Sequence, residues 1–216
     1  MRTRNAVVTL TIAASAWVIA SRALLAADEP NAAATSNLLQ NPSFEERSGA
    51  AKEGEPWGKG DLDGVARSPF AHWGYSGFWD NGDYDIRLGP GRTGKTCVRL
   101  VCREKGRGGI ASEAVRVPAG TKLRFTGWFK AVGAKGGACC VNFEGEPGDG
   151  WANIPLPAKS DYPWTEVTGT VTVPKPRKSS GELVEIYVFV YTRAFGELWI
   201  DDLSLMLMKD EGVAGH

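Results

Sequence analysis

Apolar residues recur at every second position along four stretches of this 216-residue chain, and that period constrains the fold more than any other feature. Leu123, Phe125, Gly127, Phe129 and Ala131 alternate with Lys122, Arg124, Thr126, Trp128 and Lys130. Thr165, Val167, Gly169, Val171 and Val173 alternate with Trp164, Glu166, Thr168, Thr170 and Thr172. Val98, Leu100 and Cys102 alternate with Cys97, Arg99 and Val101. Val184, Ile186, Val188 and Val190 alternate with Glu185, Tyr187, Phe189 and Tyr191. A period of two is that of a strand with one face buried and one face wet. Clusters of Gly, Pro, Asp and Ser punctuate the runs at 89–91, 118–120, 145–150 and 174–181. No convincing ten-residue amphipathic helix interrupts them. Nine to eleven short strands at regular spacing predict an all-β chain, a two-sheet antiparallel β-sandwich or jelly roll.

Charge removes several functions. Lys and Arg total 25, as do Asp and Glu. The chain therefore has no basic excess to neutralise a nucleic-acid backbone. The only histidines are His72 and His216, which excludes a multi-histidine metal site within the chain. Residues 1–27 read as a secretory signal peptide: Arg2 and Arg4 precede the apolar run Ala6 to Ala20, and Leu24 to Ala27 supply small residues for cleavage. The expected product is exported, periplasmic or secreted, with no membrane insertion after cleavage. Residues 28–36 read as a linker, 37–208 as one domain and 209–216 as a tail.

The runs sit inside blocks that carry a resemblance. The opening Asn37-Leu38-Leu39-Gln40-Asn41-Pro42-Ser43-Phe44-Glu45 resembles the start of carbohydrate-binding modules of the CBM4/9/22 type, the CenC-like group. So do Gly94 to Leu100, Val117 to Gly120 leading to Thr126 to Lys130, Trp164 to Thr170, and Leu198 to Leu205 with its acidic pair. Five blocks in order cover nearly all of 37–205. The resemblance implies a galactose-binding-like jelly roll that binds polysaccharide or glycan chains. It also implies that Glu45 and Asp201 meet at one edge of the sandwich, with Asp202 as a substitute. There they would hold a structural Ca²⁺, a cation that takes six to eight oxygen ligands. The competing reading of these acids is a solvated or salt-bridged cluster.

Two catalytic readings are weak. Gly89 to Thr96 fits the phosphate-cradling G-x-x-x-x-G-K-[ST] pattern, but the residues that follow alternate as a strand and supply no helix start. A hairpin loop is expected instead. A glycosidase needs two carboxyl groups about 5–9.5 Å apart across one bond. Glu197 and Asp201 share a face but lie about 13 Å apart along a strand. Asp80 to Asp85 reads as a surface turn. For Cys97, Cys102, Cys139 and Cys140, either a disulfide between the two groups or buried thiols fit the spacing.

Sugar recognition would rest on aromatic rings stacking on C–H faces. Tyr187, Phe189 and Tyr191 share the parity opposite to the four valine and isoleucine positions of their strand. Trp128 shares a face with Lys122, Arg124 and Lys130. These four form the expected glycan face, and a second apolar core is the alternative for the three on one strand. Trp73, Tyr75 and Trp79, in a Gly- and Ser-containing loop, form either a ligand rim or a plug, with Glu144, Asp149 and Trp151 as a further part. Trp164 is expected in the core. The functional expectation is a non-catalytic glycan-binding module. A structural or protein-interaction module of the cell envelope is the alternative, and a glycoside hydrolase ranks third.

Overall fold

A computed structural model describes residues 36–48, 68–75, 84–103, 108–135, 139–144, 151–173, 183–192 and 195–208. For Tyr75, Lys135, residues 139–144 and Trp151 it describes the backbone only. The leader, the linker up to residue 35, the C-terminal tail, Trp79 and Asp149 lie outside the described residues.

Eleven strands are described and no helix: β1 (Trp73–Tyr75), β2 (Tyr84–Pro90), β3 (Thr96–Cys102), β4 (Gly108–Ser112), β5 (Val115–Pro118), β6 (Lys122–Lys135), β7 (Cys139–Glu144), β8 (Trp151–Pro155), β9 (Tyr162–Thr172), β10 (Leu183–Thr192) and β11 (Phe195–Leu207). One sheet runs β1-β4-β10-β7-β8, with β5 also paired to β10; the other runs β2-β3-β11-β6-β9. All pairings are antiparallel. The chain is an all-β, two-sheet sandwich.

The alternating residues explain the layers. Leu123, Phe125, Phe129, Val98, Leu100, Leu198 and Ile200 line the inner face of the five-stranded sheet, and Val184, Ile186, Val188 and Val190 line that of the six-stranded sheet; all are buried. Burying a Val, Leu, Ile or Phe side chain contributes about 1.5–3 kcal/mol against leaving it in water, so the two inner faces seal together.

β11 changes parity once. Leu198 and Ile200 point inward, and so do Leu203 and Leu205. A register shift between Asp201 and Ser204 takes up the odd residue, and Asp202 adopts φ 48° there. An extra residue in one strand of an antiparallel pair is how a bulge re-aims a side chain. β3 pairs with β11 only as far as Ile200. Beyond that point the opening segment takes its place. Leu38 N–H donates to Leu205 O at 2.8 Å and Leu203 N–H to Pro42 O at 2.9 Å. Asn37 donates to Leu203 O and accepts from Leu205 N–H, both at 2.9 Å.

Phe44, also at positive φ (58°), brings its ring between Phe70 and Trp73, with centroids 5.4 and 5.0 Å away. Trp73 is fully buried, and its indole N–H donates to Gln40 O and Asn41 O at 2.9 and 3.1 Å. That corrects the expectation of Trp73 as a ligand-rim residue: an aromatic core at the N-terminal segment claims the ring. Trp164 is only half-buried, beside a register shift between Phe129 and Ala131, and does not join the core as expected.

Candidate functional site

The outer face of the six-stranded sheet is built by the odd-numbered residues of β10. Tyr187 is 38% exposed, whereas Phe189 is 5% exposed. The Phe189 and Tyr191 rings stack with centroids 5.3 Å apart and planes 24° apart. The strand therefore mixes the two expected readings, because Phe189 is packed while Tyr187 is open and Tyr191 is half-buried. Register extends the row across the sheet. Tyr187 is the Cα partner of Glu144, and Glu144 that of Trp151; Phe189 pairs with Asn142, and Asn142 with Asn153. Asn153 is exposed. The sequence places Glu144 and Trp151 in the same expected rim as the Trp73–Trp79 loop. The fold instead puts β1 and β8 at opposite ends of the sheet, so these two residues join the Tyr187 row.

Trp128 does not belong to that face. It lies on β6, in the other sheet, as the Cα partner of Asp201 and Glu166. Shared strand parity had suggested one face; two sheets packed about 10 Å apart separate them. Two tryptophans on the outer face of the five-stranded sheet are instead covered by cation–ring contacts. Arg92 sits 3.9 Å from the Trp128 centroid. Arg99 and Lys130 approach the Trp199 ring at 5.0 and 4.7 Å. Trp199 also lies over β2 so closely that a Cβ on Gly89 would stand 2.6 Å from the ring. Trp199 was not singled out from sequence. Its outward parity was visible there, but its neighbours on β2, β3 and β6 follow only from register.

The carboxylates form a loop clamp. The Gly89–Thr96 stretch is the β2–β3 hairpin, as expected in place of a phosphate loop. Glu45 Oε1 accepts from the Lys95 and Thr96 N–H groups at 2.8 and 2.9 Å. Asp201, fully buried, accepts from the N–H groups of Arg92 (2.7 Å), Thr93 (3.4 Å) and Asp202 (2.8 Å). Burial pushes the Asp201 carboxyl up to about 6, against the pull of the Arg92 N–H. Asp202 is ion-paired to Arg92 at 2.8 Å and accepts from Thr93 Oγ1 at 2.6 Å.

Glu45 and Asp201 thus hold the two ends of one loop through its backbone N–H groups. Asp202 is committed to a guanidinium, which does not fit a place in the donor set. Among the described residues no three His, Cys, Asp or Glu side chains gather as metal ligands. Glu45 and Asp201 are the carboxylates at this loop that a Ca²⁺ could use.

Several other polar residues have structural partners. Glu197 accepts from Arg99 Nε and Trp199 Nε1 at 2.9 and 3.1 Å. The Arg99 hydrogen bond holds its carboxyl below the usual range. Asp85, expected in a surface turn, is instead buried in β2, between Arg87 (2.7 Å) and Arg103. Cys97 is a buried free thiol that donates to Pro90 O at 3.3 Å, and burial pushes it up to about 12. It takes the buried-thiol alternative rather than the disulfide. His72 contacts Glu113 at 3.0 Å.

Fold and face together define a jelly-roll-type β-sandwich with an outward aromatic row on one sheet. No protein-family model matches the chain, and no curated protein matches it in sequence. Solved structures share its fold. A Stig cyclase, Fisc, from Fischerella sp. TAU is 16% identical with a TM-score of 0.52, covering 82% of this chain and 100% of that one. An arabinose-bound GH51 α-L-arabinofuranosidase is 15% identical with a TM-score of 0.51, covering 81% of this chain. The enzymatically active domain of tailspike protein 4 from bacteriophage CBA120 is 12% identical with a TM-score of 0.50, covering 80% of this chain. The chain spans 27% and 21% of the lengths of the last two. Carbohydrate-binding modules of families 16, 22 and 61 are also among the similar structures, at TM-scores of 0.42 to 0.47. Since a likeness of fold does not fix function, function has to be argued from the face itself.

Proposed function

We propose that the protein is an exported, non-catalytic module that binds a polysaccharide or glycan chain across the outer face of its six-stranded sheet. The observation that carries this reading is the exposed Tyr187 ring in one register row with Glu144 and Trp151, flanked by the stacked Phe189–Tyr191 pair. Rings offer flat faces to sugar C–H groups, while carboxylate and amide groups hydrogen-bond hydroxyls. A non-catalytic role fits the acids. Glu197 is bound to Arg99 and Trp199, and Asp201 is buried under three N–H donors. Neither is placed to serve as a solvent-facing acid or base. Export rests on the Arg-flanked apolar run of residues 1–27, and N-terminal sequencing of the product tests it. A glycan array probed with the protein, beside its Tyr187→Ala variant, tests the binding face.

A structural Ca²⁺ held by Glu45 and Asp201 belongs to the same proposal. Two of the non-glycine residues at positive φ, Phe44 and Asp202, adjoin these carboxylates. Such backbone conformations cost about 1–3 kcal/mol each and persist where the surroundings enforce them. A cation binding both carboxylates would offset that cost and the burial of Asp201. Its role is to fix the β2–β3 loop, not to contact glycan.

A further inference from the structure

The sandwich has a second outward surface that the glycan-binding proposal does not use. Along β6, Lys122, Arg124 and Lys130 point to the outer side of the five-stranded sheet, alternating with the buried Leu123, Phe125, Phe129 and Ala131. Lys122 and Arg124 are exposed, and Lys130 is half-buried against Trp199. Lys122 and Arg124 have no carboxylate ion pair among the described residues, whereas Arg87, Arg92, Arg99, Arg103 and Arg116 all do; Lys130 stands within electrostatic reach of Glu197. Beside them on β9, Thr172, Thr170 and Thr168 are the Cα partners of Lys122, Arg124 and Thr126, and all three are exposed. Glu166, opposite Trp128, is the acid of this strip.

We propose that this β6–β9 strip binds an acidic polysaccharide, its cations pairing with the polymer's carboxylate or sulfate groups and its threonine hydroxyls bonding the sugar hydroxyls.

Charge spacing selects this ligand among polyanions. Lys122 and Arg124 are about 7 Å apart along the strand, and Lys122 and Lys130 about 27 Å. Duplex nucleic acid presents a charge every ~1.7 Å and is bound by far denser cation arrays. A sugar polymer with one charge per residue or fewer matches the sparse row. The flat row of hydroxyls also suits a hydroxyl-rich chain better than a hydrophobic protein surface. This surface and the Tyr187 face lie on opposite sheets, so the module would bridge the glycan on that face and an acidic one.

The test is affinity electrophoresis of the full chain through gels containing polygalacturonate, neutral xylan or no polymer, at low and high salt. The wild type should be retarded by polygalacturonate, and the retardation should fade as salt screens the pairs. Lys122→Gln/Arg124→Gln, both exposed positions, should weaken retention about twofold to thirtyfold, as the loss of two exposed ion pairs implies. Adding Lys130→Gln should weaken it further. Lys122→Gln/Arg124→Gln should keep the wild type's response on the glycan array that tests the Tyr187 face, so failure of that face and failure of this strip are separable. No retention of the wild type, or equal retention of the folded double variant, would overturn the proposal. Equal retention by duplex DNA or by vesicles with anionic lipid would overturn the assignment to acidic polysaccharide.

Discussion

The guanidinium of Arg92 stands 3.9 Å from the centre of the Trp128 ring while also pairing with Asp202 at 2.8 Å. One side chain of the β2–β3 hairpin thus closes a tryptophan of β6 and anchors the bulge of β11. Arg92→Ala removes a cation–π contact of about 0.5–1 kcal/mol and a part-buried ion pair. Chemical denaturation should show a loss of about 1–2 kcal/mol, with glycan binding unchanged. Loss of binding at full stability would mean that Trp128, after all, belongs to the glycan site.

Trp199 and Gly89 should be coupled. A Cβ at Gly89 would meet the Trp199 ring at 2.6 Å and the Cys97 sulfur at 2.9 Å. Overpacking of this kind costs about 1–3 kcal/mol. Gly89→Ala should therefore destabilise the wild type more than it destabilises Trp199→Leu. A double-mutant cycle reads the difference directly; additive effects would contradict the packing described.

Glu197 should contribute to acid sensitivity. Arg99 holds its folded pKa below the unfolded value. Its stabilisation is then present above the unfolded carboxylate range and is lost as pH falls through the folded value. Glu197→Gln should flatten the stability curve on the acid side, below about pH 4.5. An unchanged curve would show that the pair contributes nothing.

Asp201 behaves with the opposite sign. With its pKa pushed up to about 6 by burial, its favourable contribution is present at acid pH and is lost as pH rises through about 6. A bound Ca²⁺ would favour the ionised form and reverse this. At neutral pH, calcium should raise the melting temperature over that in chelator, by a shift equivalent to ~2.7 kcal/mol at a hundredfold excess over Kd. The shift should vanish in Glu45→Ala. Identical melting of the wild type with calcium and with chelator would remove the cation from the account.

Much of the fold was legible because strand parity is local. The alternations at 98–102, 122–131, 165–173 and 184–190 all became strands with the expected inner faces. Even the bulge was written in the chain, since Leu198 and Ile200 give way to Leu203 and Leu205. Pairing between strands was not legible, because it depends on topology. Trp128 and Tyr187 share an outward parity but fall on opposite sheets. Trp73 looked like loop aromatic and proved core, because Phe44 and Phe70, distant in sequence, converge on it. For Asp202 both a cation site and a salt-bridged cluster fit the sequence, and its pairing with Arg92 depends on where the hairpin folds.

The central claim is tested most directly by calorimetric titration with the strongest oligosaccharide from the array, using wild type, Tyr187→Ala and Tyr191→Ala, with stability measured on the same samples. The account predicts that Tyr187→Ala weakens binding tenfold or more, ~1.4 kcal/mol or above, with little change in stability because the residue is 38% exposed. Tyr191→Ala should weaken binding and also cost some stability through the loss of its stacking on Phe189. Folded variants that both keep wild-type affinity would contradict a glycan site on this face.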